Sequence, residues 1–92
     1  MSPLEQRIVK FVGNVQGVGF RFTTCRLAGA FEVTGSVRNC LDGSVECTVE
    51  GPRDEIARFL QAMEDRMGYF IRNRTETPAP YSGRFNGFSV TY

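Results

Sequence analysis

Residues 34–50 read Thr-Gly-Ser-Val-Arg-Asn-Cys-Leu-Asp-Gly-Ser-Val-Glu-Cys-Thr-Val-Glu, and how this stretch folds decides how the rest is arranged. Apolar and polar residues alternate in Ser44–Glu50, and Thr34–Asn39 follows the same period of two well enough to be its partner. Asp42-Gly43 between them is a turn pair, so the stretch is expected to be an antiparallel hairpin. It is flanked on both sides by helical spacing. Upstream, Thr24, Leu27, Ala28 and Phe31 recur at three to four residues within Phe20–Phe31. Gly29 weakens the end of that helix by about 1 kcal/mol relative to alanine. Downstream, Ile56, Phe59, Leu60, Met63 and Met67 make one stripe, with Pro52 at the start and Gly68 as the stop.

Two outer strands complete the pattern. Arg7–Val12 is rich in β-branched and aromatic residues and ends at Gly13; Tyr69–Thr75 reads as a strand that Pro78 and Pro80 break. Phe88–Tyr92 is a short closing strand. The order strand, helix, strand, strand, helix, strand defines an α+β chain. Its compact solution is a ferredoxin-like split βαββαβ sandwich, an antiparallel or mixed sheet with both helices on one face and a short fifth strand. Right-handed crossovers put the third strand between the first and second. The first two strands then run parallel, so the loop after Val12 and residue Asn39 meet at one edge.

Composition narrows the function classes. Ninety-two residues, 41% hydrophobic and 23% charged, suit one domain over 1–92. A net charge of +1 gives no strong attraction to nucleic acid. No apolar run is long enough to span a bilayer, so no membrane partner is expected. Cys25, Cys40 and Cys47 are irregularly spaced and odd in number, which suits free thiols in a reducing cytoplasm rather than a disulfide framework. Histidine is absent, which removes Ser-His-Asp and Cys-His nucleophiles and histidine-ligated metals. Catalysis must rest on arginine, carboxylates, amides, hydroxyls, thiols or backbone.

The segment between the first strand and first helix is the candidate for chemistry. Gly13-Asn14-Val15-Gln16-Gly17-Val18-Gly19-Phe20-Arg21 places three glycines just ahead of a helix start. Unpaired N–H groups at such a start attract anions, and glycines upstream let further N–H groups turn to the same point. Arg21 opposes the helix dipole at a cost of about 0.3–1 kcal/mol unless an anion compensates. No acidic residue occurs from Gln6 to Phe31. The pattern is neither a dinucleotide fingerprint nor a Walker loop, so a phosphate-sized anion is expected rather than a nucleotide of those kinds.

Val15–Arg21, "VQGVGFR", resembles the signature of the acylphosphatase family, and Gly35–Glu46, "GSVRNCLDGSVE", resembles its second motif. The separation of the motifs, Gly51-Pro52 before the second helix and the C-terminal Phe88–Tyr92 also fit. The resemblance implies a small, metal-independent, cofactor-free hydrolase of the carboxyl-phosphate bond of acylphosphates. Catalytic arginine falls on Arg21 and catalytic asparagine on Asn39. The phosphate-cradling loop falls on Val15, Gln16, Gly17, Val18, Gly19 and Phe20. Ser36 stands where the family often has tryptophan, and Phe31-Glu32-Val33 replaces its usual Leu-Gly-Leu type of helix ending. The expected partner is a small-molecule acylphosphate, with the protein a monomer in the cytoplasm.

Two alternatives remain. The same loop fits a non-catalytic module binding phosphate or a carbamoyl-phosphate-type anion, and the first motif also resembles the N-terminal domains of hydrogenase-maturation carbamoyltransferases. "GVGFRF" faintly resembles an aromatic RNA-binding motif, but that motif belongs on a third strand, and "SVECTVE" carries no aromatic.

Overall fold

A computed structural model describes residues 2–92; Met1, counted in the domain expected over 1–92, lies outside the described residues. Along the chain the elements are β1 (Leu4–Gly13), α1 (Phe20–Ala28), β2 (Thr34–Asn39), β3 (Val45–Pro52), α2 (Arg53–Met67), a 3-10 turn (Gly68–Phe70), β4 (Ile71–Ala79) and β5 (Phe88–Thr91). They form one mixed sheet in the order β4-β1-β3-β2-β5, parallel only between β2 and β5. The hairpin of β2 and β3 forms as the alternation requires, and β3 separates β1 from β2.

The alternation also sets which face is dry. Val9 and Phe11 of β1, Val37 of β2, and Val45, Cys47 and Val49 of β3 are fully buried. Against them lie the α2 stripe Ile56, Phe59, Leu60, Met63 and Met67, and Phe20, Thr24 and Ala28 of α1. Phe59 touches rings on both sides, Phe31 at 6.2 Å and Phe88 at 5.5 Å between centroids, so it ties the turn after α1 and β5 to the core. Ser36 pairs with Thr48 and Ser89 within the sheet, and a small side chain suffices there.

Several boundaries differ from those expected. β1 runs three residues earlier than Arg7, because Leu4–Gln6 pair with Glu50–Pro52. α1 ends at Ala28 rather than Phe31; Gly29 caps it, and residues 29–32 form turns. The turn after β2 spans residues 40–44, so β3 starts at Val45, one residue later than expected. Gly68 does stop the second helix, as expected, but not in a left-handed conformation. Its φ is −56°, and the chain tightens into the 3-10 turn, which delays β4 to Ile71. Pro78 does not break β4, which continues to Ala79. β4 is a sheet edge paired only with β1, and an edge position tolerates a residue with no N–H.

One register fixes the site. Phe11 of β1 pairs with Val45 of β3, and Val45 pairs with Asn39 of β2. Asn39 therefore sits level with the end of β1, about 9–10 Å away across the intervening strand.

Candidate active site

Each glycine ahead of α1 has its own reason. Gly13 ends β1 with φ 143°, where the register against β4 shifts and a Cβ would run into the backbone carbonyl of Phe70. Gly17 and Gly19 have φ of 78° and 75°, in the left-handed region, and a Cβ on either would meet open space. Their requirement is conformational, not steric. Val15 between them and the strand is fully buried and pins the loop to the core.

The result is a run of free donors. Among the described residues, no backbone N–H from Val15 to Phe22 donates to a protein acceptor; the first such bond is from Thr23 N–H to the Gly19 carbonyl at 3.0 Å. Gly19, the N-cap residue of α1, offers no side-chain cap, and the first turn holds no acidic residue. By contrast, α2 opens with Asp54 and Glu55. The uncompensated positive end of α1 thus faces outward, beside Gly17 and Gly19.

Arg21, Arg26, Arg66, Arg72 and Arg84 have no carboxylate partner among the described residues, but only Arg21 of these is half-buried. Its guanidinium lies over the exposed ring of Tyr92, 5.5 Å from the centroid. Asn39 is the other polar wall. Its Oδ1 is buried and accepts no hydrogen bond from the described residues. Buried acceptors are seldom left so.

These groups share one open cavity of about 270 Å³. Of the anticipated residues, Arg21, Asn39, Val15, Gly17, Gly19 and Phe20 line it. Val18 points to solvent, and Gln16 turns away: its Nε2 donates to the carbonyls of Cys40 at 2.8 Å and Ser44 at 2.9 Å. Phe22, Cys25, Val90 and Tyr92 also line the cavity and were not anticipated. Phe22 had a legible signal, being an aromatic residue off the buried stripe of α1 and 64% exposed. Val90 and Tyr92 had none, because only the pairing of β5 with β2 brings them there.

Thiol chemistry is disfavoured. Burial pushes the Cys25 thiol up from its ordinary range. Cys40 does not line the cavity, and its backbone is tied into the turn: its N–H donates to Ser44 O at 2.8 Å, and its carbonyl accepts from Gly43 at 3.1 Å. Among the described residues no three His, Cys, Asp or Glu side chains cluster as metal ligands.

A split βαββαβ sandwich that brings free loop N–H groups, an arginine and an unpaired amide oxygen to one end of the sheet has the chemistry of a phosphate-handling class of protein. Comparison with known proteins makes it specific. The acylphosphatase family profile matches residues 8–90. An acylphosphatase from Polaromonas naphthalenivorans is 43% identical over 83 residues, covering 88% of this chain and 82% of its relative. Another from Syntrophotalea carbinolica is 47% identical over 64 residues, covering 70% and 68%. The crystal structure of acylphosphatase from Bacillus subtilis superposes with a TM-score of 0.84 at 31% identity, covering 98% of this chain and all of that one. The chain belongs to the acylphosphatase family.

Proposed function

We propose that the cup at the start of α1 is where the chain hydrolyses acylphosphates, with Arg21 and the 15–20 loop binding phosphate and Asn39 orienting water. Membership of the acylphosphatase family makes the chain a hydrolase of the carboxyl-phosphate bond. The loop N–H groups and the planar guanidinium hold the phosphoryl oxygens, for which a two-donor arginine fork is well shaped. Asn39 Oδ1 accepts a hydrogen bond from a water placed in line with the P–O bond to the acyl group. The new bond joins water oxygen to phosphorus. The P–O bond to the acyl group breaks, its electron pair leaves with the carboxylate, and the water protons pass to phosphate and solvent. An amide is too weak a base to deprotonate water. Positioning and charge stabilisation suffice because a carboxylate leaves readily.

The observation that carries this reading is the unpaired, buried Oδ1 of Asn39, in one cavity with Arg21 and the left-handed glycines. The same reading has the enzyme working without metal, as a monomer, in a reducing cytoplasm where its three free cysteines stay as thiols. Purified protein is expected to hydrolyse benzoyl phosphate equally with and without chelator. Arg21→Ala and Asn39→Ala should each lower turnover by ~10²–10³ while circular dichroism stays native, the scale of losing one preorganised donor. An Asn39→Ala enzyme as fast as wild type sinks the mechanism. Tight phosphate binding with no turnover would favour the binding-module alternative.

A further inference from the structure

We infer that Gln16 is a positioning residue for the reaction: its side chain reaches past the start of β3 and fixes the backbone that carries Asn39. This rests on the water-orienting role proposed for Asn39. The two halves of the site stand on β1 and β2, which never pair because β3 lies between them. Something must set their separation where the strands end. Gln16, on the loop after β1, does this with one nitrogen. Nε2 donates at 2.8 Å to the carbonyl of Cys40, the residue after Asn39, and at 2.9 Å to that of Ser44, the residue before β3. Its neighbour Val15 is fully buried, so the anchor end is rigid. The far end is rigid too. Asp42 Oδ1 accepts from Ser44 N–H at 3.0 Å and from Ser44 Oγ at 2.6 Å, and Asp42 Oδ2 pairs with Lys10 Nζ at 2.8 Å.

The brace can be removed without unfolding the turn. Cys40 O still accepts from Gly43 N–H, and Ser44 O from Cys40 N–H, so neither carbonyl is orphaned. What is lost is the fixed offset between loop and Asn39. A misplacement of about 1 Å at a reacting group can cost ~10²-fold in rate. Because the phosphate cradle is backbone and Arg21, and Gln16 donates to neither, the loss should fall on kcat and not on phosphate affinity.

The test uses Gln16→Met, of similar length but with no donor, on the whole chain with benzoyl phosphate. We expect kcat to fall roughly tenfold or more, within the range for small misplacements. KM and the inhibition constant of inorganic phosphate should change by less than about twofold, since uniform binding is untouched. In an Asn39→Ala background the same substitution should cost little further, the non-additivity of residues acting through one group. A second variant guards against an uninformative fold defect. Gln16→Glu places a carboxylate against two carbonyls, which raises its pKa, and protonated it regains one donor. Its kcat relative to wild type should therefore recover as pH falls from about 7 towards 5, a recovery Gln16→Met cannot show. Unchanged kcat in Gln16→Met, a parallel rise in KM and phosphate inhibition constant, or full additivity with Asn39→Ala each overturns the inference. If Asn39→Ala alone is harmless, the proposed mechanism falls and this inference with it. If Asn39→Ala is slow and Gln16→Met is not, only the inference falls.

Discussion

Gly13 and Gly19 both hold positive φ, 143° and 75°, but their neighbourhoods differ, and that difference predicts opposite consequences for the same substitution. At Gly19 an alanine Cβ meets nothing within 4 Å, so the cost is the left-handed conformation alone, about 1–2 kcal/mol. Relief of that strain would tilt the N–H groups of the cup, so Gly19→Ala should stay folded but bind inorganic phosphate more weakly. At Gly13 the Cβ would strike the Phe70 carbonyl and come within 2.7 Å of Arg72 N, where the pairing of β1 with the start of β4 shifts register. Gly13→Ala should therefore lose more stability than Gly19→Ala, with less effect on phosphate binding in whatever folds. Urea midpoints and phosphate inhibition constants for the pair check this, and the reverse order in both would remove the distinction. The sequence showed that glycines crowd this loop and that Arg21 follows without a local carboxylate. It could not divide their duties, because the clash at Gly13 comes from a segment nearly sixty residues away. Gln16 was placed in the cradle for the same reason: its hydrogen-bond partners, 24 and 28 residues distant, exist only once the sheet has closed.

At the level of elements, amphipathic α2 was the most legible because its stripe is local and continuous, whereas edge strands depend on what they border. Pro78 reads as a breaker in any sequence window; only β4's place at the edge makes it harmless. Glu50 is a stronger case. The alternation of β3 gives it to solvent, yet it is fully buried under the connection between β4 and β5. Its carboxylate accepts from Gln6 Nε2 at 2.7 Å, from Ser82 N–H and Oγ at 2.7 Å each, and from Gly83 N–H at 3.0 Å. Burial alone would push its pKa up; the donors outweigh that and hold it below the ordinary glutamate value. A lowered folded pKa means the stabilisation is fully present above the unfolded value, near 4.3, and is lost as pH falls below it. Glu50→Gln should thus be less stable than wild type at pH 7, by about 1–3 kcal/mol for a charge-assisted set of donors. The gap should close between roughly pH 5 and pH 3. Urea unfolding of both proteins across that range measures it; a gap that stays constant to pH 3 would mean the charged form is not the one the latch favours.

Over the whole molecule, α2 serves the core alone while α1 and the loop before it serve both core and site, and this gives the protein a separation that can be measured. α2 supplies five buried residues to the core but none to the cavity proposed as the active site, which is built from the loop after β1, α1, the end of β2, β5 and Tyr92. The sheet order makes that possible: α2 packs over β3 and beside α1, while the cup opens at the edge where β1 and β2 end. The topology was legible because strand and helix order admits few right-handed solutions. The strand β5 was expected too, but not its contribution to the cavity, which depends on its parallel pairing with β2. Met63, fully buried on α2, is the point at which to test the separation. Met63→Ala removes a methylene, the sulfur and the terminal methyl from a close-packed interior and should cost about 2–5 kcal/mol, transfer and cavity terms together. That is a large share of the ~5–15 kcal/mol typical of a domain, so the urea midpoint should drop steeply. At a temperature where the variant is still folded, kcat and KM for benzoyl phosphate should match wild type, and activity should vanish with the unfolding transition and not before it. A fall in kcat that runs ahead of unfolding would show that strain in the α2 layer reaches Arg21 or Asn39, and that the cup is not mechanically independent of the core beneath it.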